Sequence, residues 1–135
     1  SVDQVFDSNV VKVVADARGY ALYFSRAAIP WEREAFAEEP RQLSEVQGVY
    51  RHVGIYAYRV ELLNRFVQWG VCPLEQVEAL EQLRLMWHGY RIHVAEAFET
   101  PTHGVDTQQD LQAVRQLLEA QELQTAGSGE KVLQA

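Results

Sequence analysis

Apolar and polar residues follow each other along the chain in patterns that predict both strands and helices. A β-branched run at 10–15 and an aromatic-rich run at 20–26 predict two strands. The turn signal at 16–19 lies between them, so the sequence predicts a hairpin there. Alternating residues at 51–59 and at 90–98 predict two further strands.

Helical spacing predicts three helices. Residues 61–69 form the first, which Gly70 ends, and 107–122 form the last. The clearest helix spans 73–87, because Pro73 lies near its start and an apolar stripe follows. A strand, two helices and another strand in this order suit a crossover connection, and the pattern as a whole predicts a mixed α and β structure. The stripe consists of Val77, Leu80, Leu83, Arg84 and Trp87.

The composition disfavours some classes of function and permits others. The chain has 135 residues, about one domain on the length prior, and a net charge of −7. A non-specific nucleic-acid binder needs positive surface charge, and so does a basic membrane-surface protein, so both classes are disfavoured. Ten of the twelve basic residues are arginines. Since arginine binds carboxylates and phosphates bidentately, this excess permits a small anionic ligand.

Cysteine usage and the chain start bear on the compartment. Cys72 is the only cysteine, which excludes an intramolecular disulfide and a cysteine-based zinc site. We expect it to be a small buried residue in a protein of the reducing cytoplasm. No apolar run approaches the ~18 residues of a membrane span. The chain begins without an initiator Met or a signal-peptide pattern, which suggests part of a longer protein.

The sequence contains none of the common phosphate-binding or zinc-protease motifs, namely GxGxxG, GxxxxGK[ST] and HExxH. His52, Tyr56 and Tyr58 fall on one face of the predicted strand 51–59. Three such rings could line a ligand pocket, or they could form a half-buried aromatic sheet face whose polar tips are hydrogen-bonded.

The other candidates also have two interpretations. Glu81 flanks the apolar stripe of the predicted helix and Gln82 points away from it, which is typical of a solvated helix surface. Asp106 could cap the last helix, or it could be left free for a metal ion if Thr107 is the cap. Arg26 and Arg33 could bind a carboxylate ligand or form surface ion pairs with nearby glutamates.

Four segments occur in the order NVVKVVADARGYALYFSRAAIPWER, RHVGIYAYR, PLEQVEALEQLR and HGVDTQQDL. Together they closely resemble the C-terminal half of the 3-deoxy-manno-octulosonate cytidylyltransferases, the CMP-Kdo synthetase family of Gram-negative bacteria. The resemblance extends from about Asn9 to about Leu118. It implies the C-terminal portion of an α/β, Rossmann-like fold related to the nucleotide-diphospho-sugar transferases, a mixed sheet flanked by helices. Residues 1–125 would be the sugar-binding and dimerisation half, and 126–135 a flexible tail.

The resemblance further implies a cytoplasmic homodimer that uses Mg²⁺ to couple CTP and 3-deoxy-D-manno-octulosonate (Kdo). The products would be CMP-Kdo, for lipopolysaccharide biosynthesis, and diphosphate. The family's N-terminal half carries the triphosphate loop and an acidic metal-binding segment, and neither motif occurs here. We therefore expect the isolated chain to be inactive without that half. The alternatives are a non-catalytic dimerisation or interaction module of the same fold, and a cytidylyltransferase for another acidic sugar.

Site residues follow from the resemblance one by one. His52 and Tyr56 match residues that line the Kdo pocket, and Glu81 and Gln82 match the pair that contacts the sugar hydroxyls. Asp106 matches a catalytic carboxylate that coordinates Mg²⁺. Finally, Arg26 and Arg33 match basic residues near the sugar carboxylate.

Overall fold

The computed structural model describes residues 1–37, 39, 41–43, 48–98, 105, 108, 111–112 and 114–120. The chain divides into two compact units, Ser1–Glu96 and Ala97–Ala135. The described residues of the first unit form four short helices and three strands. In chain order they are α1 (Val2–Phe6), β1 (Lys12–Ala15), β2 (Ala21–Ser25), β3 (Tyr50–Arg51), α2 (Val60–Phe66), α3 (Pro73–Glu78) and α4 (Gln82–Trp87).

The predicted hairpin of β1 and β2 is confirmed. The two strands pair antiparallel, with Val13 opposite Phe24. The turn forms because Asp16 Oδ1 accepts hydrogen bonds from the backbone N–H groups of Arg18 (2.8 Å) and Tyr20 (3.0 Å). Gly19 adopts a positive φ of 77° in this turn.

The sheet has the order β2-β1-β3, and both of its strand pairs are antiparallel. The predicted strand 51–59 is mostly wrong, since pairing ends at Arg51. Gly54 has a φ of +81°, which takes the chain out of the extended conformation. The predicted strand 90–98 forms a single bridge between His93 and Tyr20, with flanking backbone hydrogen bonds beside β2.

The predicted helix 73–87 is broken into α3 and α4. Pro73 does begin α3, and the buried Cys72 caps it, because the Sγ atom accepts from the backbone N–H of Glu75. Ala79 then adopts a left-handed conformation (φ 52°, ψ 48°), which ends α3. The predicted apolar stripe is therefore not a single buried face. Leu80 and Leu83 are buried, but Val77 and Trp87 are exposed, contrary to prediction.

The core joins the sheet to the α3–α4 region. It is formed by the buried side chains of Val13, Ala21, Phe24, Leu80 and Leu83. Beside it, Lys12 is also buried, and its ammonium group donates to the backbone oxygens of Asp7, Val10 and Arg26 at 2.6–2.8 Å. An α/β structure is confirmed, with a small antiparallel sheet packed against short helices.

In the second unit, every described residue from 108 to 120 is helical, in agreement with the predicted last helix. The predicted tail 126–135 lies outside the described residues. Within the part of the chain that the structure describes, no helix has the length and apolar character that crossing a membrane requires.

Candidate functional site

His52 and Tyr56 are brought together although no strand continues past Arg51. The backbone N–H of His52 donates to the Val11 carbonyl oxygen at 2.8 Å, which fixes the residue beside β1. Its ring packs edge-on against Phe24, a fully buried core residue, at 5.2 Å. Its Nε2 atom forms a hydrogen bond of 2.7 Å with the Tyr56 hydroxyl.

Tyr58 extends this group to three rings. Its ring stacks on that of Tyr56 with centroids 5.5 Å apart and planes inclined by 23°. His52 and Tyr56 are half-buried, whereas Tyr58 is more exposed. The rings therefore share a surface, as the sequence predicts, but a turning loop rather than a strand arranges them.

The charge of Glu81 acts on all three rings. Burial lowers the pKa of His52, and the carboxylate of Glu81 opposes this shift. Burial raises the pKa of Tyr56, with further contributions from Tyr58 and Glu81, and burial and Glu81 raise the pKa of Tyr58. The surface thus combines uncharged phenols and an imidazole with a carboxylate. Such groups suit the hydroxyls of a polar ligand, because the phenols and the imidazole can donate and accept hydrogen bonds and the carboxylate can accept them.

Glu81 and Gln82 follow the break at Ala79, at the start of α4. Leu80 and Leu83 flank the pair and pack in the same core cluster as Phe24, which supports His52. The expectation that Gln82 lies on a solvated surface is wrong, since the residue is only 1% exposed. Its Nε2 atom is buried and has no hydrogen-bond partner among the described residues. An unpaired buried amide is costly, so this group can readily donate to a ligand.

A buried ion pair connects the two helices across the break. Arg84 on α4 donates from Nε to Glu75 Oε2 at 2.6 Å and from Nη2 to Glu75 Oε1. The guanidinium also lies 4.3 Å from the centre of the Phe66 ring. These bonds lower the pKa of the Glu75 carboxyl and raise that of Arg84. The pair fixes the segment 79–82 from both sides.

Arg26 and Arg33 have different environments. Arg26 donates from Nε to the Glu78 carbonyl at 2.7 Å and from Nη1 to the Ser8 carbonyl at 3.0 Å. Its guanidinium therefore binds backbone oxygens. Arg33 is exposed in a turn. Among the described residues, neither of these two arginines contacts His52 or Tyr56.

Asp106, the predicted metal ligand, lies outside the described residues. Among the residues that are described, no group of three His, Cys, Asp or Glu side chains could hold a metal ion. Sequence reasoning also missed Glu78, whose carboxylate binds the end of β2. Glutamates at 75, 78 and 81 share a helical spacing that is typical of a solvated surface, so no signal distinguished it.

Comparison with known proteins gives consistent matches. Residues 1–92 match the sequence profile of a family described as cytidylyltransferase. Over 119 residues the chain is 59% identical to the 3-deoxy-manno-octulosonate cytidylyltransferase of Pseudomonas fluorescens Pf-5, covering 88% of this chain and 47% of that protein. The Vibrio parahaemolyticus protein of the same name is 55% identical over 118 residues, covering 87% and 46%.

A solved structure resembles this chain in fold as well. It is that of CMP:2-keto-3-deoxy-manno-octonic acid synthetase complexed with CTP, at a TM-score of 0.74 and 42% sequence identity. The match covers 90% of this chain and 46% of that one. The chain thus spans about half the length of the curated relatives it matches.

Proposed function

We propose, from the premise that this chain belongs to the cytidylyltransferase family, that it supplies the sugar-binding half of a CMP-Kdo synthetase. The complete enzyme would couple CTP and Kdo to CMP-Kdo and diphosphate, in the cytoplasm, for lipopolysaccharide biosynthesis. In this reaction the anomeric hydroxyl oxygen of Kdo bonds to the α-phosphorus of CTP while diphosphate leaves. The part of the chain described here would bind and orient the sugar.

One observation carries the proposal. The two segments that the family resemblance assigns to Kdo, 52–56 and 81–82, are far apart in sequence but adjoin one core cluster. His52 packs against Phe24, and Leu80 and Leu83, which flank 81–82, belong to the same cluster. The electrostatic influence of Glu81 on His52 and Tyr56 is a further sign of their proximity. Because small errors in position cost large rate factors, a rigid group of this kind suits the alignment of an attacking hydroxyl.

The chemistry of these side chains fits a sugar. His52, whose pKa burial lowers, would be uncharged near neutral pH and could donate to or accept from a hydroxyl. Glu81 would accept from hydroxyl groups, and the unpaired Gln82 amide would donate to an oxygen. Arg26 and Arg33 would offset the negative charge of the sugar carboxylate, which otherwise repels the triphosphate.

We further propose that Asp106 is a ligand of Mg²⁺, together with a carboxylate from the rest of the enzyme. When bound, Mg²⁺ supplies positive charge at the phosphate oxygens. In the full-length protein, Asp106→Asn should abolish Mg²⁺-dependent turnover and weaken Mg²⁺ binding in calorimetry, while the circular dichroism spectrum stays unchanged. Unaltered Mg²⁺ binding would return Asp106 to a capping role.

The enzyme would act as a homodimer. Support comes from α2, which exposes Val60, Leu63 and Val67 on one face. Leu63→Glu should shift the sedimentation coefficient of the full-length protein from that of a dimer to that of a monomer. A monomeric wild type would contradict the proposed assembly.

The decisive experiment is an assay of diphosphate release with CTP and Kdo, on the full-length protein and on the isolated chain. We expect turnover only with the full-length protein. Release without Kdo, or with other acidic sugars in preference to it, would point to a different acceptor. No turnover under any condition would contradict the proposed activity and favour the second candidate, a non-catalytic interaction module.

A pair of variants tests the sugar side. Gln82→Ala should raise KM for Kdo about tenfold and leave KM for CTP nearly unchanged, because it removes a buried hydrogen-bond donor. Gln76→Ala is the matched control, since Gln76 is exposed on α3. A larger effect of Gln82→Ala on CTP than on Kdo would contradict the assignment.

A further inference from the structure

Glu78 is the last residue of α3, and its carboxylate binds the end of β2. Oε1 accepts from the Ser25 hydroxyl at 2.6 Å, and Oε2 accepts from the backbone N–H of Arg26 at 2.9 Å. The Tyr23 hydroxyl adds a longer hydrogen bond of 3.5 Å to Oε1. The carboxylate thus connects α3 to three positions at and near the end of the strand.

The backbone of Glu78 takes part as well. Its carbonyl oxygen accepts from Arg26 Nε at 2.7 Å, so both the side chain and the main chain of Glu78 bind Arg26. On the other side, the buried ammonium of Lys12 donates to the Arg26 carbonyl at 2.6 Å. Glu78 and Lys12 therefore hold the N–H and the C=O of the same residue.

The position of Glu78 in the chain gives these contacts a consequence. Ala79 follows directly and adopts the left-handed conformation that separates α3 from α4. Glu81 and Gln82 come next, at the start of α4. A residue that fixes the end of α3 therefore also fixes the point from which this pair is projected.

We propose that Glu78 is a positioning residue for the sugar side of the site. It binds the β2 end at Ser25 and Arg26 and so sets the location of Arg26 relative to the Glu81–Gln82 pair. This inference rests on the proposed function, since the pair and Arg26 are the groups expected to hold the acidic sugar. Glu78 itself acts through them and does not touch the ligand.

The test uses Glu78→Gln in the full-length protein. The amide keeps the size of the side chain but carries no charge, so the bonds to Ser25 and to the Arg26 N–H become weaker, and the Ser25 hydroxyl must accept from the amide instead of donating to it. We expect KM for Kdo to rise about tenfold and KM for CTP to change less than about twofold. Ser25→Ala removes the hydrogen bond to Glu78 and also the acceptor for the Ala27 backbone N–H, and it should raise KM for Kdo about threefold.

Glu61→Gln is the control, since Glu61 is exposed on α2 and pairs there with Arg65. It should leave both KM values unchanged. If Glu78 were purely structural, Glu78→Gln would lower the melting temperature and leave KM for Kdo unaltered in the folded enzyme. That result would overturn the proposal. If Glu78→Gln does not fold, an unchanged KM for Kdo in Ser25→Ala overturns it equally.

The activity of the full-length wild type distinguishes a failure of this inference from a failure of the proposed function. Without CMP-Kdo formation by the full-length wild type, the proposed function fails and the inference falls with it. With an active wild type and unchanged KM values in both variants, only the positioning role is refuted.

Discussion

Two neighbouring segments of the first unit differ sharply in burial. The segment 72–87 forms α3, the break and α4, and it is packed into the core. None of the residues in the segment 52–71 is buried, although the structure describes all of them. The buried members of the first segment are Cys72, Glu75, Leu80, Gln82, Leu83 and Leu85. The exposed apolar members of the second are Val53, Ile55, Val60, Leu63, Val67 and Val71.

The difference separates the two halves of the candidate site. Glu81 and Gln82 belong to a segment whose core lies within this chain. His52 and Tyr56 belong to the segment without buried residues, where only Phe24 is seen to support the rings. A helix as short as α2 is marginal in water unless its apolar face packs against something. The aromatic half of the site therefore has less support from packing within the described part of this chain than the carboxylate and amide half has.

The largest expected effect comes from matched leucine truncations. Leu83 is fully buried, so Leu83→Ala should lower the free energy of unfolding by about 2–5 kcal/mol. Leu63 is 41% exposed on α2, and Leu63→Ala should cost the isolated chain less than about 1 kcal/mol. Urea denaturation of the two variants measures both. Equal losses would mean that 52–71 is packed as firmly as 72–87.

The same comparison can be made with ion pairs. Arg84 and Glu75 are bonded at two points with side chains 13% and 11% exposed, whereas the Arg65–Glu61 pair has side chains 55% and 78% exposed. Arg84→Met leaves the Glu75 carboxylate without its partner in a poorly solvated place, so the urea midpoint should fall clearly. Arg65→Met should leave the midpoint within experimental error. A larger shift for Arg65→Met would reverse our ranking of the segments.

Local sequence signals predicted the elements that depend on local contacts. The hairpin follows from the turn residues Asp16 and Gly19, and the start of α3 follows from Pro73. The convergence of His52 and Tyr56 was predicted from alternation, although Gly54 turns the chain where a strand was expected. A glycine in an alternating run is compatible with either a strand or a bend, and contacts distant in sequence decide between them.

The break at Ala79 could not be predicted, because alanine has the highest helix propensity of all residues. Tertiary contacts impose it instead. Glu78 is bound to the strand end, and Glu75 is bound to Arg84 across the break. The burial of Gln82 follows from that break. A regular helix would expose this candidate site residue, so helical periodicity alone predicts its position wrongly.

A smaller effect should follow from relieving the break itself. Ala79 has a φ of 52°, a region that disfavours residues with a Cβ atom. Ala79→Gly should therefore raise the free energy of unfolding by about 0.5–1 kcal/mol. Ala17→Gly, in the exposed β1–β2 turn, is the control and should be slightly destabilising. Destabilisation by Ala79→Gly in urea would mean that the left-handed conformation is not a source of strain in the folded chain.

The smallest effect concerns pH and the aromatic half of the site. Burial holds the pKa of His52 below its usual value of about 6.5, with Glu81 opposing, so the unfolded chain binds the proton more readily than the folded one. The stabilising contribution of His52 is therefore complete above about pH 6.5 and declines as the pH falls below it. Urea unfolding of the wild type and of His52→Gln at pH 7.5 and 5.5 measures the effect, since the difference between them removes the shared carboxylate titrations. The wild type should lose more stability on acidification than His52→Gln does. Equal losses would mean that the imidazole is as well solvated in the folded chain as in the unfolded one. The segment 52–71 would then shield the aromatic half of the site from water even less than the comparison with 72–87 suggests.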